Sequence, residues 1–231
     1  MTRTDPAAQG DLFDRATPLT GKGNDLDLEL EPGAVVLRGY AVNEAPALLA
    51  AIEHVTQAAP LRCMTTARGW RMSVAMSNCG HAGWLSDHSG YRYDAVDPQT
   101  GRPWPAMPER FARLAARAAL AAGFAHFEPD ACLINRYAPG ARLSLHQDRN
   151  EQDFDAPIVS VSLGVPATFL WGGGARADRP RRVRLEHGDI VVWGGPARLN
   201  FHGIDVLRED HHVLTDNVRF NLTFRRANLR R

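Results

Sequence analysis

Two histidines and an aspartate have the residue types and spacing of an open metal site. His146 and Asp148 are separated by one residue, and His202 lies far downstream. On an extended strand, side chains two positions apart point to the same side, so the imidazole and the carboxylate would converge. Two histidines and one carboxylate form a facial triad that leaves metal positions open, as in Fe(II) oxygenases, whereas a structural zinc site is closed by protein ligands. The sequence therefore predicts an iron(II) site.

A run of alternating polar and apolar residues at 219–225 (RFNLTFR) is typical of a strand. Alternation would place the apolar side chains on one face and the polar ones on the other, namely Arg219, Asn221, Thr223 and Arg225. An ordinary half-exposed strand has the same pattern. Arginines that face inward, however, need anions, and the carboxylates of 2-oxoglutarate would match their guanidinium groups. Because Arg219 and Arg225 lie about 20 Å apart along such a strand, we expect them to hold different parts of the site.

Aromatic and basic residues elsewhere could contact a nucleic acid. Four aromatic side chains lie near glycines in the first half of the chain: Trp70, Trp84, Tyr91 and Tyr93. Loop aromatics can stack on bases, and enzymes that modify a base draw it out of the duplex into such a pocket. Core packing is the alternative for each of them. The arginines of 176–184 could meet phosphates, or could form a solvated basic hairpin.

The composition limits the class of protein. The chain has 231 residues, of which 44% are hydrophobic and 23% charged, as in an ordinary globular domain. Its net charge of +1 neither requires nor excludes a nucleic-acid partner. No apolar run is long enough to span a bilayer and the sequence shows no export signal, so we expect a cytoplasmic protein without a membrane partner. Three cysteines without a C-x-x-C pair fit a reducing compartment.

The elements that would position these residues form one α+β domain. Residues 1–32 predict a flexible leader, followed by a single domain over 33–231. Asn43 is predicted to cap a first helix, and a second helix to begin at Pro108 and end before Gly123. Short strands between Gly and Pro turns dominate the second half and indicate a sandwich, barrel or jelly roll. The predicted strands are 34–37, 132–137, 158–164, 168–171, 183–185, 190–193 and 219–225.

Long strings of this sequence resemble a known family. They are NRYAPGARLSLHQDRNE (135–151), APIVSVSLGVPA (156–167), LEHGDIVVWGG (185–195), FHGI (201–204) and RFNLTFRRA (219–227), and upstream MSVAMSNCGHAGW (72–84), GYRY (90–93) and DPQTGRPWPAMP (97–108). Together they are similar to the AlkB family of oxidative DNA-dealkylation repair enzymes, from about residue 34 to residue 227. The resemblance implies a double-stranded β-helix (jelly-roll) core over about 131–227 and a nucleotide-recognition lid over about 62–95.

The resemblance also implies a role for particular residues. Iron would be held by His146, Asp148 and His202, in agreement with the triad above. The cosubstrate 2-oxoglutarate would lie against Asn135, Tyr137, Arg219, Asn221 and Arg225, with Arg219 on the distal carboxylate and Arg225 nearer the metal. The substrate side would be lined by Trp84, Tyr91, Tyr93 and Arg176, and a flipped base would lie between Trp84 and the ring of His146.

The implied reaction consumes 2-oxoglutarate and O₂ and oxidises a methyl group on a base nitrogen, as in 1-methyladenine or 3-methylcytosine. Formaldehyde, succinate and CO₂ are released. The partner would be alkylated DNA, preferably single-stranded, with RNA as the alternative, and we expect a monomer. One position departs from the family pattern, which has Asp where this chain has Asn150. Its amide adds donors that could meet a guanine or thymine carbonyl. Asn150 is therefore predicted to reduce the difference in activity between methyladenine or methylcytosine and methylguanine or methylthymine.

Two other functions are compatible with the motifs. The same chemistry could act on RNA or on another substrate, because the metal and cosubstrate motifs do not choose among substrates. A non-catalytic jelly-roll module that binds lesions is the second alternative. The complete triad and both inward arginines argue against it, since a pure binding module needs no open iron site.

Overall fold

Strands dominate the part of the chain that the computed structural model describes, residues 27–228. In chain order they are β1 (Leu28–Glu31), β2 (Ala34–Leu37), β3 (Arg62–Thr65), β4 (Arg71–Gly80), β5 (Gly83–Asp87), β6 (Gly90–Asp94), β7 (Val96–Asp97), β8 (Arg102–Pro103), β9 (Ala131–Tyr137), β10 (Leu143–His146), β11 (Ile158–Gly164), β12 (Ala167–Trp171), β13 (Arg181–Leu185), β14 (Ile190–Trp193), β15 (His202–Ile204) and β16 (Arg219–Arg225). The helices are α1 (Ala45–Ala58) and α2 (Glu109–Ala121). No helix among residues 27–228 is both long and apolar enough to cross a membrane.

Two sheets form the core of the fold. The major sheet has the order β1-β2-β14-β11-β16-β9-β4-β3, and the minor sheet has the order β10-β15-β12-β13. Every pairing in both sheets is antiparallel. Strands that are distant in sequence are therefore neighbours, as in a jelly roll, which confirms the predicted fold class.

Each face of the major sheet packs against a different layer. One face meets the minor sheet through a cluster that includes Trp193, Phe169 and Leu185. The other face meets α1 and α2 through a second cluster that includes Phe224, Leu48 and Phe111. Because alternate residues of a strand point to opposite faces, β16 turns Leu222 and Phe224 toward the helices and its polar residues toward the minor sheet. The predicted alternation of 219–225 is present.

The two helices lie close to where the sequence placed them. The apolar positions of α1 follow helical spacing and are buried, whereas the predicted cap Asn43 is wrong: it lies in a short 3₁₀ turn, and Glu44 is the N-cap, without a side-chain hydrogen bond. Pro108, predicted as the first helical residue of α2, is its N-cap, so the helix begins one position later, at Glu109. Gly123 follows the last turn with φ of 88°. Its amide donates to the Leu120 carbonyl and the next amide to that of Ala119, a Schellman ending.

The boundary predicted for the leader is too far along the chain. Strand β1 lies inside the predicted leader and pairs antiparallel with β2 at the edge of the major sheet. Period-2 alternation in Leu28-Glu29-Leu30-Glu31 is the signal that could have revealed it. The remainder of the predicted leader, residues 1–26, lies outside the described residues.

The region predicted as a lid has two parts that belong to different sheets. Strand β4 was not predicted, and it pairs with β9 from Ala75↔Arg136 to Gly80↔Ala131, so it belongs to the major sheet. Strands β5 and β6 form a separate hairpin in which Trp84 lies opposite Tyr93. The nearby glycines suggested that Trp84, Tyr91 and Tyr93 lie on loops. In the structure all three lie on strands.

Candidate metal and cosubstrate site

The triad residues converge where two strands of the minor sheet end. His146 is the last residue of β10 and pairs with His202, the first residue of β15. Asp148 follows two positions beyond β10, and its carboxylate oxygens lie 3.6 Å from Nε2 of His146 and 3.8 Å from Nε2 of His202. The three potential ligand atoms are within 4.8 Å of one another. The structure thus brings together all three residues of the predicted site.

Backbone carbonyls orient both imidazole rings for metal binding. Nδ1 of His146 lies 2.9 Å from the Ser144 carbonyl, and Nδ1 of His202 lies 3.0 Å from the Asn200 carbonyl. A carbonyl oxygen only accepts, so each Nδ1 carries the proton and each Nε2 keeps a free lone pair toward Asp148. A hydrogen bond of this kind at the non-ligating nitrogen is the usual way in which proteins fix the tautomer of a metal-ligating histidine.

The electrostatics keep the ligand groups in their metal-binding forms. Burial, together with the neighbouring His146, lowers the pKa of His202 to about 3, so its ring is neutral at physiological pH. Burial alone would raise the pKa of Asp148, but the charge and the hydrogen bond of Arg225 hold it well below its usual value. A neutral imidazole and an ionised carboxylate are the states that bind a divalent cation.

Arg225 holds the metal-site carboxylate. Its Nε donates to Oδ2 of Asp148 at 2.8 Å, and its Nη2 lies 2.6 Å from the same oxygen. Burial alone would lower the pKa of Arg225, but Asp148 and other nearby groups raise it above its usual value, so it stays charged. Arg225, which was predicted to lie nearer the metal end, therefore does so, and it orients Asp148.

Two buried residues that the sequence analysis missed complete this network. Glu151 accepts from Tyr93 Oη at 2.6 Å and from Arg198 Nη2 at 3.2 Å, and it lies 3.5 Å from Arg225. Arg198 also donates to the backbone carbonyl of Asp148 at 2.8 Å. Glu151 follows the triad aspartate closely in sequence and could have been suspected for that reason. Arg198 lies in a turn and has no local signal.

A cavity of about 910 Å³ opens over the triad. This volume is in the range of small-molecule and cofactor sites. Its inner wall comes from the polar side of the major sheet and includes Asn135, Tyr137, Ser160, Asn221, Thr223 and Arg225. Its outer part includes Trp70, Arg71, Trp84, Tyr91, Arg142, Arg149, Asn150 and Arg176. The residues predicted to bind 2-oxoglutarate and those predicted to bind the substrate therefore line the same cavity as the triad. Arg219 and Tyr93 are the exceptions.

Arg219 lies behind the inner wall. It is 1% exposed, its guanidinium carbon is 5.1 Å from the centre of the Tyr137 ring, and Nη2 donates to Ser162 at 3.0 Å. Its Nε and Nη1, and Oδ1 of Asn135, are buried without a hydrogen-bond partner among the described residues. Burial lowers the pKa of Arg219 from its usual value. A buried guanidinium with two unpaired donors needs an acceptor, and a dicarboxylate fits that need.

The predicted substrate residues divide into a cavity-lining pair and a buried support. The ring of Trp84 stacks on that of Tyr91, with centroids 5.5 Å apart and an interplanar angle of 15°. Tyr93 does not line the cavity: burial raises its pKa well above the usual value, and its hydroxyl is bound to Glu151. It anchors the β5–β6 hairpin to the metal-site network. Trp84 Nε1 lies 3.5 Å from Oδ1 of Asn150.

The donor set, the tautomers and the unpaired arginine fit Fe(II) and 2-oxoglutarate. His146, Asp148 and His202 would hold the metal, and the remaining positions would face the cavity. A jelly roll with such an open two-histidine, one-carboxylate site defines the class of non-haem Fe(II) oxygenases.

Comparison with known proteins narrows this class. Residues 33–225 match the model of the 2OG-Fe(II) oxygenase superfamily. The alpha-ketoglutarate-dependent dioxygenase AlkB of Escherichia coli is 58% identical over 198 residues, which cover 86% of this chain and 92% of that protein. The tRNA demethylase abh1 of Schizosaccharomyces pombe is 37% identical over 97 residues, covering 41% of this chain and 32% of that protein. A solved structure of OsALKBH1 is 28% identical with a TM-score of 0.77, covering 87% of this chain and 99% of its own.

The chain belongs to the AlkB family of 2OG-Fe(II) oxygenases. It is an enzyme of the 2-oxoglutarate-dependent dioxygenase type, with Fe(II), 2-oxoglutarate and O₂ as its reaction partners.

Metal binding should stabilise the fold through Asp148. Mn(II), which is not oxidised by air as readily as Fe(II), is expected to raise the free energy of unfolding by about 2.7 kcal/mol at a concentration of 100 times its Kd. Asp148→Ala is expected to abolish this increase, because two imidazoles alone leave the divalent charge uncompensated. Chemical denaturation with and without metal measures the difference for each variant. Glu209→Ala, a change at an exposed carboxylate, is the control, and an equal increase in Asp148→Ala would contradict the assignment.

Proposed function

We propose that this enzyme demethylates N-alkylated bases in DNA by oxidation, with 1-methyladenine and 3-methylcytosine as substrates. The observation that carries the proposal is the single cavity that joins the triad to the stacked pair Trp84 and Tyr91. The identity to a curated AlkB dioxygenase over most of the chain supports it. Iron with 2-oxoglutarate and O₂ supplies the oxidising equivalent that hydroxylates the N-methyl group; the resulting hemiaminal releases formaldehyde and the repaired base, and succinate and CO₂ are the other products.

The inner end of the cavity would bind 2-oxoglutarate. Arg219, with two unpaired donors, would pair with the distal carboxylate, since it lies farthest along β16 from the triad. Asn135 and Tyr137 lie on the adjacent strand, paired with Asn221 and Arg219 respectively. Arg225 is already engaged by Asp148, so its contribution is to hold the metal-site carboxylate and the charge at that end.

The outer end would receive the base. The indole of Trp84 and the half-exposed ring of His146 both face the cavity and could hold a planar base between them, with its methyl group beside the metal. Stacking on aromatic rings contributes about 1–3 kcal/mol per base. We assign the β3–β6 region to a nucleotide-recognition lid, because it carries Trp84 and Tyr91 and borders the cavity.

The rim of the cavity has the charge that a nucleic-acid strand needs. Arg71, Arg142, Arg149 and Arg176 line it, and the side chain of Trp70 is 75% exposed there. Arginine guanidinium groups match phosphates, and an exposed indole can stack on a neighbouring base. Of the arginines in 176–184, Arg176 is the one that lines the cavity, and Arg182 and Arg184 are paired with acidic side chains, so we assign Arg176 to the strand.

We propose single-stranded DNA as the preferred form and a monomer as the active unit. Extruding a base costs least when it is already unpaired, which favours a single-stranded substrate. The three free cysteine thiols fit a reducing compartment, which supports the cytoplasm as the location.

A product assay tests the proposal directly. The enzyme with Fe(II), ascorbate and 2-oxoglutarate is expected to release equimolar formaldehyde and succinate from a single-stranded oligonucleotide that contains 1-methyladenine. Asp148→Ala is expected to release neither, because the metal ligand set is broken. Succinate without formaldehyde in the wild type would keep the dioxygenase and discard the demethylation of this substrate. Neither product from a metal-loaded enzyme would favour a lesion-binding module.

RNA is the second candidate substrate. The tRNA demethylase abh1 shares part of this sequence, and the rim arginines recognise phosphates that DNA and RNA have in common. The same methylated base is therefore to be compared in DNA and RNA oligonucleotides of one sequence. A higher kcat/KM for the RNA would reverse the order of the two candidates.

Arg219 is expected to determine the affinity for 2-oxoglutarate. Arg219→Met should raise the Kd of 2-oxoglutarate by about 30-fold or more, because a buried charged partner of a carboxylate is typically worth at least about 2 kcal/mol. Isothermal titration of the Mn(II)-loaded protein measures it. Arg136→Met is the matched control, since Arg136 is on β9 with its side chain on the opposite face from Asn135 and Tyr137. An unchanged Kd in Arg219→Met, with Mn(II) still bound, would refute the role.

Asn150 is expected to set the ranking of lesions. Its Oδ1 faces the indole N–H of Trp84, which leaves its amide donors for a base carbonyl. Asn150→Asp removes those donors and adds a charged acceptor. The ratio of kcat/KM for 1-methyladenine over 1-methylguanine should therefore increase by about fivefold to tenfold, the difference between a neutral and a charge-assisted hydrogen bond. Equal ratios for the wild type and the variant would remove Asn150 from the specificity residues.

A further inference from the structure

The first described strand contacts the segment that carries a metal ligand. Glu31, the last residue of β1, is half-buried, and its Oε1 accepts a hydrogen bond from Nε1 of Trp171 at 2.9 Å. The same oxygen accepts from Nδ2 of Asn200. Both donor residues are buried, with 5% and 8% of their surface exposed. One carboxylate oxygen from the edge of the major sheet thus serves two donors of the opposite layer.

Both donors are direct neighbours of His202. Trp171 lies opposite His202 in the pairing of β12 with β15. Asn200 precedes His202 by two residues, and its carbonyl accepts the Nδ1 proton that keeps Nε2 of His202 free. Glu31 therefore holds the residue that pairs with the ligand and the residue that orients its ring. Neither Trp171 Nε1 nor Asn200 Nδ2 has another hydrogen-bond partner in the described part of the chain.

We propose that Glu31 is a positioning residue for the iron site, acting on His202 through Asn200 and Trp171. Removal of the acceptor leaves two buried donors unsatisfied, which is unfavourable unless they move to new acceptors. The simplest relief is rotation of the Asn200 side chain and displacement of its backbone, which carries the carbonyl that fixes the His202 tautomer. Outer-shell partners of metal-ligating histidines typically change metal affinity by about 10–100-fold.

The proposal predicts that metal affinity depends on the hydrogen-bond acceptor of Glu31 and not on its negative charge. Glu31→Ala should weaken Co(II) binding by about tenfold, at the lower end of that range because Glu31 acts through one intervening residue. Glu31→Gln retains a carbonyl oxygen at the same position and should restore most of the affinity. Glu29→Ala is the matched control, because Glu29 is on the same strand with an exposed side chain. Titration of the full-length protein, followed by the visible d–d absorption of Co(II), measures affinity and coordination without any substrate.

Two further measurements separate positioning from general stabilisation. In a double-mutant cycle, Glu31→Ala and Asn200→Ala should be non-additive in the free energy of Co(II) binding, because both changes remove the same contact. Thermal unfolding of the metal-free variants reports how each change affects the stability of the fold without metal. A Glu31→Ala variant that unfolds at a lower temperature but keeps the wild-type Co(II) affinity and spectrum would overturn the proposal. So would additive effects in the cycle. Neither result depends on whether the enzyme demethylates DNA.

Discussion

The ion pair between Asp148 and Arg225 is the contact on which the rest of the site depends. Asp148 follows a strand of the minor sheet, and Arg225 ends a strand of the major sheet, so the pair joins the two layers. A carboxylate buried at this depth is tolerated only because a guanidinium charge and hydrogen bonds compensate for lost hydration. The same compensation keeps Asp148 ionised, which is what a divalent metal requires. The same carboxylate thus serves both metal binding and a polar contact between the two sheets.

Two further buried charges, those of Glu151 and Arg198, are connected to this pair. Glu151 lies 3.5 Å from Nε of Arg225, the atom that already donates to Asp148, so the two carboxylates share the charge of one guanidinium. Glu151 in turn needs donors, which Tyr93 and Arg198 provide. Such a network stabilises a single arrangement only when each member is satisfied. The two apolar clusters on either side of the major sheet supply the hydrophobic stabilisation that allows this many polar groups between the layers.

Sequence periodicity revealed the parts of the site that lie on one strand, and missed the parts that depend on distant partners. The alternation of 219–225 placed four polar side chains on the correct face, and the His-x-Asp spacing identified two neighbouring ligands. The sequence predicts Tyr93 as a substrate residue, because it does not show that the hydroxyl of Tyr93 is buried and donates to Glu151. Glu31 lay in a predicted leader, and its partners Trp171 and Asn200 are far away in the chain. Resemblance to a family supplied the roles of Asn135 and Tyr137, which no local pattern indicated.

The hairpin β5–β6 links the proposed base-binding surface to the metal-site network. Tyr91 and Tyr93 are two residues apart on β6 and therefore project to the same side of the strand. Tyr91 stacks on Trp84 at the cavity, and its side chain is 52% exposed, while Tyr93 is buried and bonded to Glu151. The outer residue can therefore adjust to a base while the inner one fixes the hairpin to the network around Asp148. In the proposed function, a base held by this hairpin would be positioned relative to the metal-site carboxylate through buried hydrogen bonds, and a misplacement of about 1 Å at the methyl group would cost about 100-fold in rate.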